Sequence, residues 1–243
     1  MMQRFKLLPA AAAALALLAA PSPLQAQNPP TDRDLQVYAG LHAAAASGDV
    51  AEIEKLVAEG EKVNLQDSNS RTPLIVAAFR KQHAAAQALL RLGANANARD
   101  LQGYDILTIA AVQNDLDLVK IALAGGASPR NVTGQYNGTA LISAAHLGHV
   151  EIVRALIEAK APLDQVNSLG WTALIVTIVL GNGSANHVAT VKALVEAGAD
   201  VDIKDRQGTT ALVHARARGY TEMVKILEPA SGRKTMREGG RTL

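Results

Sequence analysis

The chain has 243 residues, 49% of them apolar, with no cysteine and only seven aromatic side chains. There is ample core for one or two domains, built chiefly from alanine and leucine, and a chain this apolar and near neutrality is not intrinsically disordered. The lack of cysteine excludes a disulfide framework, a thiolate metal site and a cysteine nucleophile.

The first 26 residues read as an export signal. Met1 to Lys6 carries Arg4 and Lys6 and no acid, Leu7 to Ala20 is an uncharged apolar run, and Pro21 to Ala26 breaks it and ends on a small residue. The run is shorter than the roughly 20 residues that a membrane-spanning helix needs. Cleavage is expected after Ala26, leaving Gln27, with a cut after Ala20 as the alternative. Neither a twin-arginine pair nor a lipid-accepting cysteine is present. The expected location is the bacterial periplasm, with no stable membrane insertion after cleavage.

From Tyr38 onward one unit is written six times. A leucine followed by small residues recurs at Leu41, Leu74, Leu107, Leu141, Leu174 and Leu212, in steps of 33, 33, 34, 33 and 38 residues. Gly60, Gly93, Gly126 and Gly198 fall where a second helix ends in a left-handed residue. Thr72 is a good N-cap and Pro73 suits the first helical position. Ile152, Val153, Leu156 and Ile157 have the spacing of a buried helix face. Turns rich in Asn, Asp and Gly follow each helix pair, as in Asp100-Leu101-Gln102-Gly103 and Asn167-Ser168-Leu169-Gly170.

This pattern resembles the ankyrin repeat. The family's T-P-L-H-x-A-A motif appears in pieces: Thr72-Pro73-Leu74 is the fullest copy, Thr139, Thr172 and Thr210 keep the threonine, Asp105 replaces it, and His42 keeps the histidine. Gly148-His149-Val150-Glu151-Ile152-Val153 carries the family's second-helix stretch. The resemblance implies an all-α solenoid of about six helix-turn-helix repeats with hairpin turns between them. The expected repeats are 38–67, 68–100, 101–133, 134–167, 168–205 and 206–228, with a linker and the start of a capping helix at 27–37. Departures are Lys81 and Asn114 for the mid-repeat glycine, and Lys160 for a terminal glycine, which leaves that helix end open to a different geometry. Repeat four has one extra residue near Gln135 to Gly138. Repeat five has five, Asn182-Gly183-Ser184-Ala185-Asn186. Thr31 and Asp32 are placed to cap a helix starting near Asp34. Arg216, at a position mostly held by alanine, marks an end on which no seventh repeat packs. A basic, disordered tail is expected over 229–243.

Ankyrin-like proteins bind partners through hairpin tips and the exposed side of the first helix. The resemblance therefore implies a partner-binding surface of Arg71, Phe79, Arg80, Tyr104, Tyr136, His146, Trp171 and Leu180. Tyr38 falls in the same rows but belongs to the capping region. Aromatics and arginine are typical of interface centres, so the few rings are expected on the surface rather than in the core. Resemblance to exported bacterial ankyrin proteins implies an accessory or protective role toward another envelope protein. A small molecule or cell-wall fragment held beside the repeat-five insertion is the alternative, and a structural module binding nothing strongly is a third.

Catalytic patterns are missing. His146 and His149 lie three apart but lack a third metal ligand, and no zincin, nucleophile-elbow or Walker sequence occurs. The chain is read as a non-enzymatic monomer without cofactor or metal. Without residues 1–26 it holds 22 basic and 22 acidic residues, so nucleic acid is excluded as a partner.

Overall fold

The computed structural model describes residues 27–232. Residues 1–26, where an export signal is expected, and the tail beyond 232 lie outside the described residues. Among the described residues are thirteen α-helices, a short 3-10 turn and no strands beyond two isolated bridges, Thr133 with Gly138 and Lys204 with Thr210.

A short helix α1 (Asp32–Val37) precedes six helix pairs. The first helices are α2 (Gly40–Ser47), α4 (Pro73–Phe79), α6 (Ile106–Val112), α8 (Ala140–Leu147), α10 (Ala173–Val179) and α12 (Ala211–Ala217). The second helices are α3 (Val50–Ala58), α5 (His83–Arg91), α7 (Leu116–Ala124), α9 (Val150–Glu158), α11 (Ala185–Glu196) and α13 (Thr221–Leu227). Each first helix packs on the next first helix and each second helix on the next second helix. No single pair can bury its apolar face; the stack does. The chain is therefore an all-α solenoid of six repeats.

Local chemistry fixes each start. The hydroxyls of Thr72, Thr139, Thr172 and Thr210 accept from the N–H three residues on, and Asp105 does the same through its carboxylate at 2.9 Å. Ala77, Ala78, Ala110, Ala111, Ala144 and Ala145 are fully buried, so neighbouring first helices approach closely with no ring between them. The last carbonyls of these helices would otherwise lack partners. The following repeat supplies them. Gln82 donates to Ala46 O at 3.3 Å, Gln113 to Phe79 O at 3.4 Å, His149 Nδ1 to Ala111 O at 2.9 Å and His187 Nε2 to His146 O at 3.0 Å. Arg218 donates to Val179 O.

Three expectations change in detail. Lys160 adopts the left-handed conformation of the glycines it replaces, with φ near 62°, so that helix end does not differ. The repeat-five insertion is only partly a loop: Ala185 and Asn186 extend α11 to 12 residues, against nine in α9. The tail is ordered further than expected, because Glu228–Ala230 form the 3-10 turn and Ser231 Oγ and Gly232 N both donate to Asp202 at 2.8 Å. At the other end Thr31 caps α1 as expected, but in a capping box with Asp34, and Asp32 is the first helical residue rather than a cap.

Candidate partner-binding surface

Four of the five hairpins are set by one side chain at the first position. Asp67 Oδ1 accepts from the N–H groups of Asn69 and Arg71, Asp100 from Gln102 and Tyr104, Asn167 from Leu169 and Trp171, and Asp205 from Gln207 and Thr209. These Asx turns close the loops locally. In repeat four the extra residue replaces this device with a backbone bridge, Thr133 N to Gly138 O at 2.7 Å. Neighbouring hairpins are then tied by main-chain bonds: Leu101 N to Asn69 O at 2.8 Å, Gly134 N to Gly103 O at 3.1 Å and Ser168 N to Tyr136 O at 2.8 Å. The first four tips thus form one pre-organised row, which lowers the ordering cost of binding.

The side chain at the closing position of each hairpin does not point to the tip. Tyr104 is only 6% exposed and Trp171 only 7%, so both belong to the core and the expectation of surface rings is overturned there. The Tyr104 side chain lies against the next hairpin. A Cβ on Gly134 would come within 2.9 Å of the Tyr104 ring. Burial raises the pKa of Tyr104.

Arg71 is likewise a structural residue, fully buried rather than offered to a partner. Its guanidinium pairs with Asp67 at 2.7 Å and Asp34 at 3.0 Å and donates to Asn28 O at 3.3 Å. Tyr38 donates to Asp67 at 2.6 Å, and its ring centroid lies 5.9 Å from the guanidinium carbon. Repeat one has no hairpin of its own, and α1 is clasped against the first hairpin by this cluster. Burial would raise the Asp67 carboxyl, but Tyr38 and Arg71 outweigh it and hold it below the usual carboxylate range.

The other expected residues do reach the surface in part. Arg80 is exposed, Tyr136 is 36% exposed, and Phe79, His146 and Leu180 are half-buried, with Phe79 and Leu180 packed on the core. Burial, aided by His187 and His149, lowers the His146 pKa to about 4, so its ring is neutral near pH 7. In the insertion Asn182, Ser184, Ala185 and Asn186 are exposed, while Gly183 is half-buried with Tyr220 against it. Tyr220 donates to Gly181 O at 3.1 Å, and Ser184 Oγ lies 2.9 Å from His187 Nδ1, so the insertion is fastened to repeat six and to its own helix. A groove of about 230 Å³ lies elsewhere, between α5 and α7, lined by Leu90, Arg91, Ile121 and Gly125 among others. No group of three metal-ligating side chains is present among the described residues.

One surface residue escaped the sequence reading. Leu101 is 65% exposed at the second tip, beside the Tyr136 hairpin. An apolar residue in the second position of an Asx turn, where Ser68, Ser168 and Arg206 stand in other repeats, is the signal that marks it. The tips from Ser68 to Ser70, Leu101 to Gly103, Gly134 to Asn137 and Ser168 to Gly170 carry no acidic or basic side chain. The exposed ion pairs Arg91–Glu54, Arg154–Glu151 and Lys192–Glu196 sit on second helices instead. Charge depletion with exposed Leu and Tyr is the composition of an interface core.

A rigid row of uncharged tips on stacked helix pairs defines a helical-repeat scaffold for recognition. The chain belongs to the ankyrin-repeat family: models described as "Ankyrin repeats (3 copies)" match residues 41–132 and 107–205, and one described as "Ankyrin repeats (many copies)" matches 183–228. It is similar to the putative ankyrin repeat protein YahD of Escherichia coli K12, 33% identical over 185 residues covering 76% of this chain and 92% of that protein. A solved ankyrin repeat domain from Acinetobacter baumannii is 40% identical, with TM-score 0.75, covering 78% of this chain and 96% of that one. A chain in the solved complex of a Bdellovibrio bacteriovorus predatory endopeptidase with its immunity protein is 26% identical, with TM-score 0.65, covering 79% and 98%. The repeats make this chain a protein–protein interaction module.

Proposed function

We propose that this protein is exported to the periplasm and binds another envelope protein there, through its hairpin tips and the adjoining ends of the first helices, in an accessory or protective role. The observation that carries the reading is the pre-organised, charge-free tip row with Leu101 and Tyr136 exposed on adjacent hairpins. Arg80, Phe79, His146 and Leu180 extend it along the first helices. Buried Tyr104, Trp171 and Arg71 support this surface without contacting the partner. Export rests on the order of charged, apolar and small residues in 1–26. The protective role draws on the likeness to the endopeptidase–immunity protein complex, in which a chain of this fold is held in a protein–protein assembly.

The test is capture from periplasmic extract by the chain beginning at Gln27. The wild type is compared with Leu101→Asp plus Tyr136→Ala and with an outer-face control, Glu151→Lys. The reading expects proteins retained by the wild type and the control to be lost from the tip variant. Equal capture by all three refutes the surface, and empty capture by the wild type refutes the function.

A further inference from the structure

Every junction in the solenoid joins the same two faces. On the forward face the position of Ile53 recurs as Ala86, Val119, Val153 and Val191, all fully buried by the next repeat. On the backward face the position of Leu89 recurs as Ala122, Leu156, Leu194 and Leu227, again fully buried. At the ends no further repeat covers these faces. Val224, the last member of the forward series, is only half-buried, and Val213, which follows Ile75, Ile142 and Ile175, is 51% exposed. At the other end Leu56, the first member of the backward series, is half-buried.

Each end face also carries one charge at a junction position that is uncharged in every other repeat. Arg216 stands at the position of Ala78, Ala111 and Ala145, and Glu52 at that of Leu118, Ile152 and Met223. Their signs are opposite, and the charge balance of the sequence toward each end has the same sign. Residues 27–67 hold three basic and eight acidic side chains, 68–205 hold eleven of each, and 206–243 hold eight basic and three acidic. Arg216 pairs with Glu228, and Glu52 with Lys55, in solvent-exposed contacts. Such pairs are typically worth less than about 1 kcal/mol, so exchanging partners costs little.

We propose that copies of this chain associate head to tail. Val213, Arg216 and Val224 of one copy seat on Glu52 and Leu56 of the next. Arg216 rejects an apolar seventh repeat; it does not reject an acidic face. The contact is heterologous and does not close on itself, so it extends into rods. The hairpin-tip row then continues from copy to copy, multiplying the surface offered to a partner. Opposite net charges bring the ends together, and salt weakens them: the Debye length falls from about 30 Å at 0.01 M to about 3 Å at 1 M. The monomer expected from the sequence is the state at high salt and dilution.

Sedimentation velocity of the chain from Gln27 to Leu243 tests this. At protein near ~100 µM and salt near ~20 mM, the weight-average mass should be at least about twice that of the monomer, returning to monomer near ~500 mM salt as screening takes hold. Arg216→Glu and Glu52→Lys should each abolish association, and the two together should restore it, because the contact is re-formed with its charges exchanged. Circular dichroism melts check that each variant is folded. A monomeric wild type at low salt overturns the proposal, as does association that survives Arg216→Glu. Failure of the exchanged pair to associate also overturns it, since it leaves only the overall dipole as the cause.

Discussion

Replacing Arg71 with methionine keeps most of the side-chain volume and removes the charge that fastens α1 to the first hairpin. Arg71 is completely buried, and the side chains of Asp67 and Asp34 are 9% and 25% exposed. Breaking a buried pair by deleting one partner costs about 3–5 kcal/mol, because the remaining carboxylate is left uncompensated. Asp34 recovers some hydration, so about 3 kcal/mol is expected here. For a domain near 200 residues that corresponds to roughly 6–12 °C in a cooperative melt. Nearest-neighbour coupling in a solenoid confines much of the effect to the N-terminal end. A separate early transition is therefore expected in urea, together with lost hydrogen-exchange protection over α1 and α2. Acid should narrow the difference. The Asp67 and Asp34 carboxyls are held below their ordinary pKa in the wild type, so their stabilisation is full above that value and lost as pH falls through the folded-state pKa. A melt lowered by less than about 2 °C, with unchanged exchange at α1, would refute the clasp.

Three further outcomes are expected. Trp171→Ala should cost about 3–5 kcal/mol as a core deletion, measurable by urea denaturation, whereas Trp171→Phe should cost far less, because the buried indole Nε1 has no hydrogen-bond partner to lose; equal losses would contradict the placement. Thermal stability should decline between about pH 6.5 and pH 4. The neutral His146 ring is favoured in the folded chain and its pKa lowered to about 4, so the unfolded chain binds the extra proton within that window. His146→Asn should flatten that slope, and an unchanged slope counts against it. Finally, expression from Met1 in a Gram-negative host should yield periplasmic protein whose N-terminal sequence starts at Gln27. Uncleaved protein in the cytosol would remove the export proposal.

The repeat, its six first helices and the caps at Thr72, Thr139, Thr172 and Thr210 were legible because each is written locally and then repeated. Thr31 announced α1 in the same way, although the helix starts at Asp32, two residues before the expected Asp34. The candidate site was legible only in outline. Counting from each leucine puts Tyr104 and Trp171 at the edge of a hairpin, but counting does not give the direction of a side chain. That direction depends on packing against residues distant in sequence, as where Gly134 meets the Tyr104 ring. Arg71 was misread for a related reason: its partners Asp34 and Asn28 lie 37 and 43 residues away, and no local spacing links them. Leu101 was passed over because an isolated exposed leucine is ordinary. Its meaning comes from the uncharged tips on either side. Lys160 shows the converse, since a strained left-handed lysine is accepted where the surrounding repeat dictates the turn.

The measurement that bears most directly on the recognition surface is hydrogen exchange on this chain, free and bound to the partner it retains from the periplasm. The account predicts new protection at Leu101 to Gly103, Gly134 to Asn137 and the C-terminal ends of α4 and α8, with α7 and α9 unchanged. Protection confined to the second helices, or centred on the groove between α5 and α7, would contradict it.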